Sequence, residues 1–156
     1  MITIQNLQEL ENYITDSKKE KIYIISDDVI FNTPLHFKED YVIIKCKGAV
    51  FNYKVNINEI HIQSNLIAED DVESNLINVG GDVSVKKLEC NHMNCNNLVG
   101  EDVSSHLLIC RNKINCNKLC VIENLEFKKL DIQHLYLHSF EFKNITSENE
   151  DKNFWD

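Results

Sequence analysis

Apolar residues come in pairs two positions apart, and in the second half of the chain the pairs advance by five. Val83/Val85, Leu88/Cys90 and Met93/Cys95 lead to Leu98, and the rhythm returns in Leu130/Ile132, Leu135/Leu137, Phe140/Phe142 and Ile145. A spacing of two puts both members on one face of an extended segment. A helical stripe alternates steps of three and four, which a step of five breaks. The intervening residues are mostly Asn, Lys, Glu, Asp and His, which bend the chain and face water. The pattern predicts short extended sides, corners every five residues, and coils stacked by parallel hydrogen bonds about 4.8 Å apart.

A longer repeat overlies the short one. Residues 79–98 and 99–119 align with one inserted residue. Val79, Gly80, Asp82, Val83, Ser84, Leu88, Cys90, Asn94, Cys95, Asn96 and Leu98 recur as Val99, Gly100, Asp102, Val103, Ser104, Leu108, Cys110, Asn115, Cys116, Asn117 and Leu119. An apolar-only third copy follows over residues 120–140. A repeat of about 20 residues built from steps of five predicts a four-sided coil. The expected inward ladders are Leu88/Leu108/Leu130, Cys90/Cys110/Ile132, Met93/Ile114/Leu135, Cys95/Cys116/Leu137 and Leu98/Leu119/Phe140. Asp82 and Asp102 are then expected at one corner on successive coils.

The five-residue steps, with Asn or Asp beside inward residues over roughly residues 79–145, resemble pentapeptide-repeat proteins. That resemblance implies a right-handed parallel β-solenoid. The chain departs from the family in placing the larger residue first, as in Leu88/Cys90 and Ile114/Cys116. Earlier in the chain, Asn6 with Glu9 fits a helix N-cap and capping box. Leu7, Leu10, Tyr13 and Ile14 share one face, so residues 7–15 are expected to form a short amphipathic helix. Apolar runs follow at 21–26 and 41–46. A helix followed by short strands about 20 residues apart is similar to the opening of pectate-lyase-like right-handed β-helices.

The expected fold is therefore all-β: a single right-handed parallel β-solenoid of about 20 residues per coil with a short N-terminal capping helix. Residues 1–156 form one domain, with the cap over 1–20, coils over 21–146 and an acidic tail or cap over 147–156. There the aromatics Phe154 and Trp155 are expected to plug the last coil.

Charge narrows the classes of partner. The net charge is −9, and residues 55–110 hold nine acids against two bases. An acidic chain disfavours direct contact with nucleic acid or anionic membrane, where Lys and Arg supply affinity. No apolar run is long enough to span a membrane and no secretory signal is evident at the start of the sequence, so a cytoplasmic location is expected. The six cysteines are then expected to be reduced. Cys90, Cys95, Cys110 and Cys116 fall on inward positions, and their spacing is not that of a zinc site. No metal and no cofactor is expected, although Cys90 and Cys110 should stack within disulfide distance. The six histidines (His36, His61, His92, His106, His134 and His138) lie mostly between apolar positions and read as surface residues.

No phosphate loop or nucleophile motif is present. The expected role is non-catalytic: a solenoid that binds another protein, as an immunity protein does a toxin or a phage-type inhibitor a host nucleic-acid enzyme. The expected contacts with a basic surface are Glu69, Asp70, Asp71, Glu73, Asp82, Glu101 and Asp102. Two alternatives are a self-assembling, bactofilin-like structural solenoid and a small carbohydrate-active β-helix enzyme using Asp82 and Asp102.

Overall fold

The computed structural model describes residues 1–16, 20–37, 40–138 and 141–144. It is a parallel β-solenoid of about 7 turns with one short N-terminal helix, and each turn takes about 16 residues. The turn Leu98–Lys113 shows the plan. Leu98, Val103 and Leu108 point inward from three successive sides, and Ile114 opens the next turn directly over Leu98.

Hence the coil is three-sided, and the expected four-sided coil of 20 residues is corrected. A five-residue step defines one side but leaves open how many sides close a turn. Three steps close it here, with an occasional extra corner residue. The advance of about 20 residues seen in the sequence repeat is one turn plus one side. The expected ladders therefore dissolve into others. Leu88, Leu108 and Leu130 all face the interior but from different sides. Leu88 stacks on Val72 and Val103, Leu108 on Met93 and Leu125, and Leu130 on Ile114. Cys90 lies between Ser74 and Ser105, while Cys110 stacks on Cys95. Met93 joins Ile77 and Leu108, Cys116 stacks on Gly100 and Ile132, and Leu119 on Val103 and Leu135. Phe140 lies outside the described residues.

Two of the true ladders are apolar along the described core. On the first side they run Val29, Ala49, Leu66, Val83, Leu98 and Ile114; on the second, Leu35, Val55, Val72, Leu88, Val103 and Leu119. Stacked identical sides keep each inward residue in contact with its equivalents above and below, which fills the narrow interior. Phe31 and Phe51 stack in this way, with ring centroids 5.1 Å apart.

Corners are held by amides. Asn52 donates to Asn32 and Asn32 to Gln5 at one corner, and Asn91 donates to Asn75 at another. At the corner after the third side, Asn96 and Asn97 both donate to Asp82. Arg111, the one arginine of the chain, straps that corner. Its guanidinium donates to Asn94 Oδ1 (2.6 Å) and to the carbonyls of Val79 (3.2 Å) and Gly80 (2.9 Å). Gly80 and Gly81 pass so close to the carbonyls of Gln63 and Ser64 that any Cβ would collide with them.

The N-terminal cap is present but shorter in helix than the pattern predicts. Ile2–Ile4 pairs with Val29–Phe31 as a strand of the first turn. Asn6 caps the helix Leu7–Leu10 by accepting from Glu9 N, while Glu9 Oε2 accepts from Gln5 N. A single 3-10 turn, Glu11–Tyr13, then gives way to a strand at Ile14–Asp16. That strand pairs antiparallel with Ile22 and Tyr23, so the β-branched Ile14 and Thr15 extend a sheet edge rather than a helix. The expected runs at 21–26 and 41–46 do pair, Ile22 with Ile43 and Ile25 with Cys46. Ile145 and the tail 147–156, with Phe154 and Trp155, lie outside the described residues.

Candidate binding groove

On the second side, the inner position next to the corner is Ile57 and Val121 on outer turns but Ser74, Cys90 and Ser105 on the three turns between. The small groups leave the wall recessed. Ser74 Oγ reaches the carbonyls of Asn58 (3.0 Å) and Leu76 (3.3 Å), and Ser105 Oγ reaches those of Leu107 (2.7 Å) and Asn91 (3.3 Å). These bonds give carbonyls at the bend a side-chain donor. Cys90 donates to Ser105 Oγ at 3.4 Å, and burial pushes its thiol up to about 11, so it stays protonated at neutral pH.

A groove of about 270 Å³ runs over this recess and across several turns. Its floor includes Ile57, Ser74 and Cys90; Asn58, Asn75, Asn91 and His106 line the corner. Asn56, Glu73, Glu89 and Ser104 form the wall, successive register partners on the outward face of the second side. Phe37 and Asp40 also line it, and among the described residues no Lys or Arg does.

The seven acidic residues expected from the sequence do not form one surface. Glu69, Asp70 and Asp71 sit at the corner between the first and second sides, and Glu101 and Asp102 occupy the same corner two turns on. The turns interleave them with cations. Lys87 and Lys118 are the register partners of Asp102, and Lys87 precedes Leu88, the partner of Val72, so it falls beside Asp71. Asp82 is on a different edge. Its backbone N donates to Asn65 Oδ1 (2.9 Å) and its carboxylate accepts from Asn96 (3.1 Å) and Asn97 (2.9 Å), the chemistry of a corner residue. Asp82 and Asp102 thus do not stack, because 20 residues carry the chain past a full turn onto the next side. Of the seven, Glu73 alone lines the groove.

Glu89, Asp40 and the asparagine column were not singled out by sequence reasoning. A search at spacings of 16 and 17 would have found the asparagine column and the step from Glu73 to Glu89, but not Asp40. Among the described residues, no group of three or more His, Cys, Asp or Glu side chains could hold a metal ion, and no helix is long and apolar enough to cross a membrane. His61 contacts Glu59 at 3.1 Å and is half-buried; His36, His92, His134 and His138 are exposed.

Comparison of the chain with protein-family models, curated proteins and solved structures returns no match. The class that stands is therefore the parallel β-solenoid, and no family ties it to the pentapeptide-repeat or the pectate-lyase type.

Proposed function

We propose that the chain is a non-catalytic binding protein that engages a basic partner protein through the second side of the solenoid, as an antagonist of a toxin or of a nucleic-acid enzyme would. The observation that carries this reading is the pair Glu73–Glu89, in register on adjacent turns and flanked by neutral Asn56 and Ser104. Like charges placed directly opposite one another in a sheet are destabilising. At the neighbouring corner, lysines intervene between the acids; along this column none does. An acidic column beside a polar groove is complementary to a cationic segment of a partner.

A fluorescent peptide alternating Lys with neutral residues, followed by anisotropy, tests the reading. Wild-type protein is expected to bind it with an affinity that weakens as salt rises. Glu73→Lys/Glu89→Lys should abolish binding, and Glu101→Lys/Asp102→Lys should weaken it less. Equal binding by wild type and the Glu73/Glu89 variant would place the interface elsewhere.

The same pair supports a second, enzymatic reading. Adjacent parallel strands lie about 4.8 Å apart, and retaining glycosidases hold their two carboxyls about 5 Å apart. Glu73 and Glu89 would then take the part that Asp82 and Asp102 cannot. Release of reducing sugar from a polysaccharide panel, lost in Glu89→Gln, would favour it. Self-assembly through the N-terminal end is not supported, because Ile4 and Leu10 of the cap are fully buried against the first turns.

A further inference from the structure

We propose that Cys95 and Cys110 are a redox modification site, a dithiol that a hydroperoxide converts into a reversible disulfide linking two turns of the solenoid. Of the six cysteines, these two alone are register partners. Cys46 stacks on Ile25 and Ile62, Cys90 on Ser74 and Ser105, Cys116 on Gly100 and Ile132, and Cys120 on Ser104 and Tyr136. In-register parallel strands hold Cα atoms about 4.8 Å apart, inside the range that a disulfide spans.

The surroundings distinguish Cys110 from Cys95. Both thiols are fully buried, yet Cys110 is followed directly by the exposed corner Arg111–Asn112–Lys113. As a thiol, Cys110 reaches the carbonyls of Asn96 (3.1 Å) and Lys113 (3.3 Å). Its thiolate is favoured chiefly by a hydrogen bond from Cys95, opposed by burial, and helped less strongly by the backbone N–H groups of Asn112 and Leu98 and the nearby Arg111. Cys95 correspondingly holds its proton more tightly than an ordinary thiol, chiefly through that same hydrogen bond. The two sulfurs share one hydrogen bond, so ionisation of one is supported by the proton of the other, and the adjacent pair can supply both an attacking and a resolving sulfur.

The chemistry balances with the peroxide as oxidant. The Cys110 thiolate attacks one peroxide oxygen, the O–O bond breaks, and a sulfenic acid forms with release of water or an alcohol. The Cys95 sulfur then attacks the Cys110 sulfur, the S–O bond breaks, and water leaves with the Cys95 proton. Two thiols lose two electrons to the peroxide. A disulfide brings the two Cβ atoms to about 3.8 Å, and a thiol reductant reverses the bond by exchange.

Hydrogen peroxide added to the reduced full-length protein tests this. Thiols counted after denaturation should fall by two of six. The intact mass should drop by two hydrogens, a single bridged peptide should join Cys95 to Cys110, and dithiothreitol should restore both thiols. In Cys95→Ser, oxidation should add oxygen at Cys110 without a bridge. Because a core variant can fold poorly, the peptide map of wild type decides the matter. Six thiols remaining, oxygen added without a bridge, or a bridge between any other pair would overturn the proposal.

Discussion

Glu73 and Glu89 face outward from adjacent parallel strands as register partners, and both line the groove on the second side. Among the described residues, no cation lies in register to relieve their mutual repulsion. It should therefore surface as a stability penalty that a bound cationic partner removes.

Glu73→Gln is expected to stabilise the free protein, by at most about 1 kcal/mol at low salt for one in-register like-charge pair. The gain should shrink as salt screens the pair. Urea midpoints at two salt concentrations measure both effects. A lower midpoint for Glu73→Gln at low salt would mean that the carboxylate has a stabilising contact instead.

The three-sided turn makes an unequal prediction for equivalent residues of the sequence repeat. Val79 is fully buried on the third side, whereas Val99, its counterpart, points outward from the first side and is 50% exposed. Val79→Ala should cost about 2 kcal/mol through lost burial and an unfilled space. Val99→Ala should stay within about 0.5 kcal/mol of wild type. Comparable costs at the two positions would contradict the 16-residue turn.

Alkaline pH should weaken the fold through its buried thiols. Burial pushes Cys46 and Cys116 up to about 12, and Cys90 up to about 11, from an ordinary value of 9.0. The folded chain holds these protons more tightly than the unfolded one, so stability falls wherever the unfolded thiols ionise first. The contribution is complete below the ordinary value and is lost as pH rises through the folded-state values. Urea midpoints should be level up to about pH 8 and then decline steadily. Cys116→Ala should show a shallower decline, and a midpoint unchanged well above the ordinary thiol value would rule this account out.

Much of the interior was legible without coordinates. Pairs two apart advancing by five identified Leu88, Met93, Cys95, Leu108 and Ile114 as inward residues, and all are buried. The N-cap at Asn6 was equally local, since it needs one side chain and the N–H of Glu9. The groove was not legible in that way. Glu89 and Asp40 join Glu73 only through the stacking of turns.

What the order of residues determines by itself is the alternation within each side, because a side chain's face in an extended segment depends only on its immediate neighbours. The number of sides per turn is a different kind of quantity. Three and four five-residue steps preserve the same inward pattern, and local preference does not separate them. Closure around a packed interior does, together with corner contacts such as Asn97 to Asp82 and the Arg111 strap. That choice set Glu73 beside Glu89 and Cys95 beside Cys110, and placed Asp82 and Asp102 on separate edges.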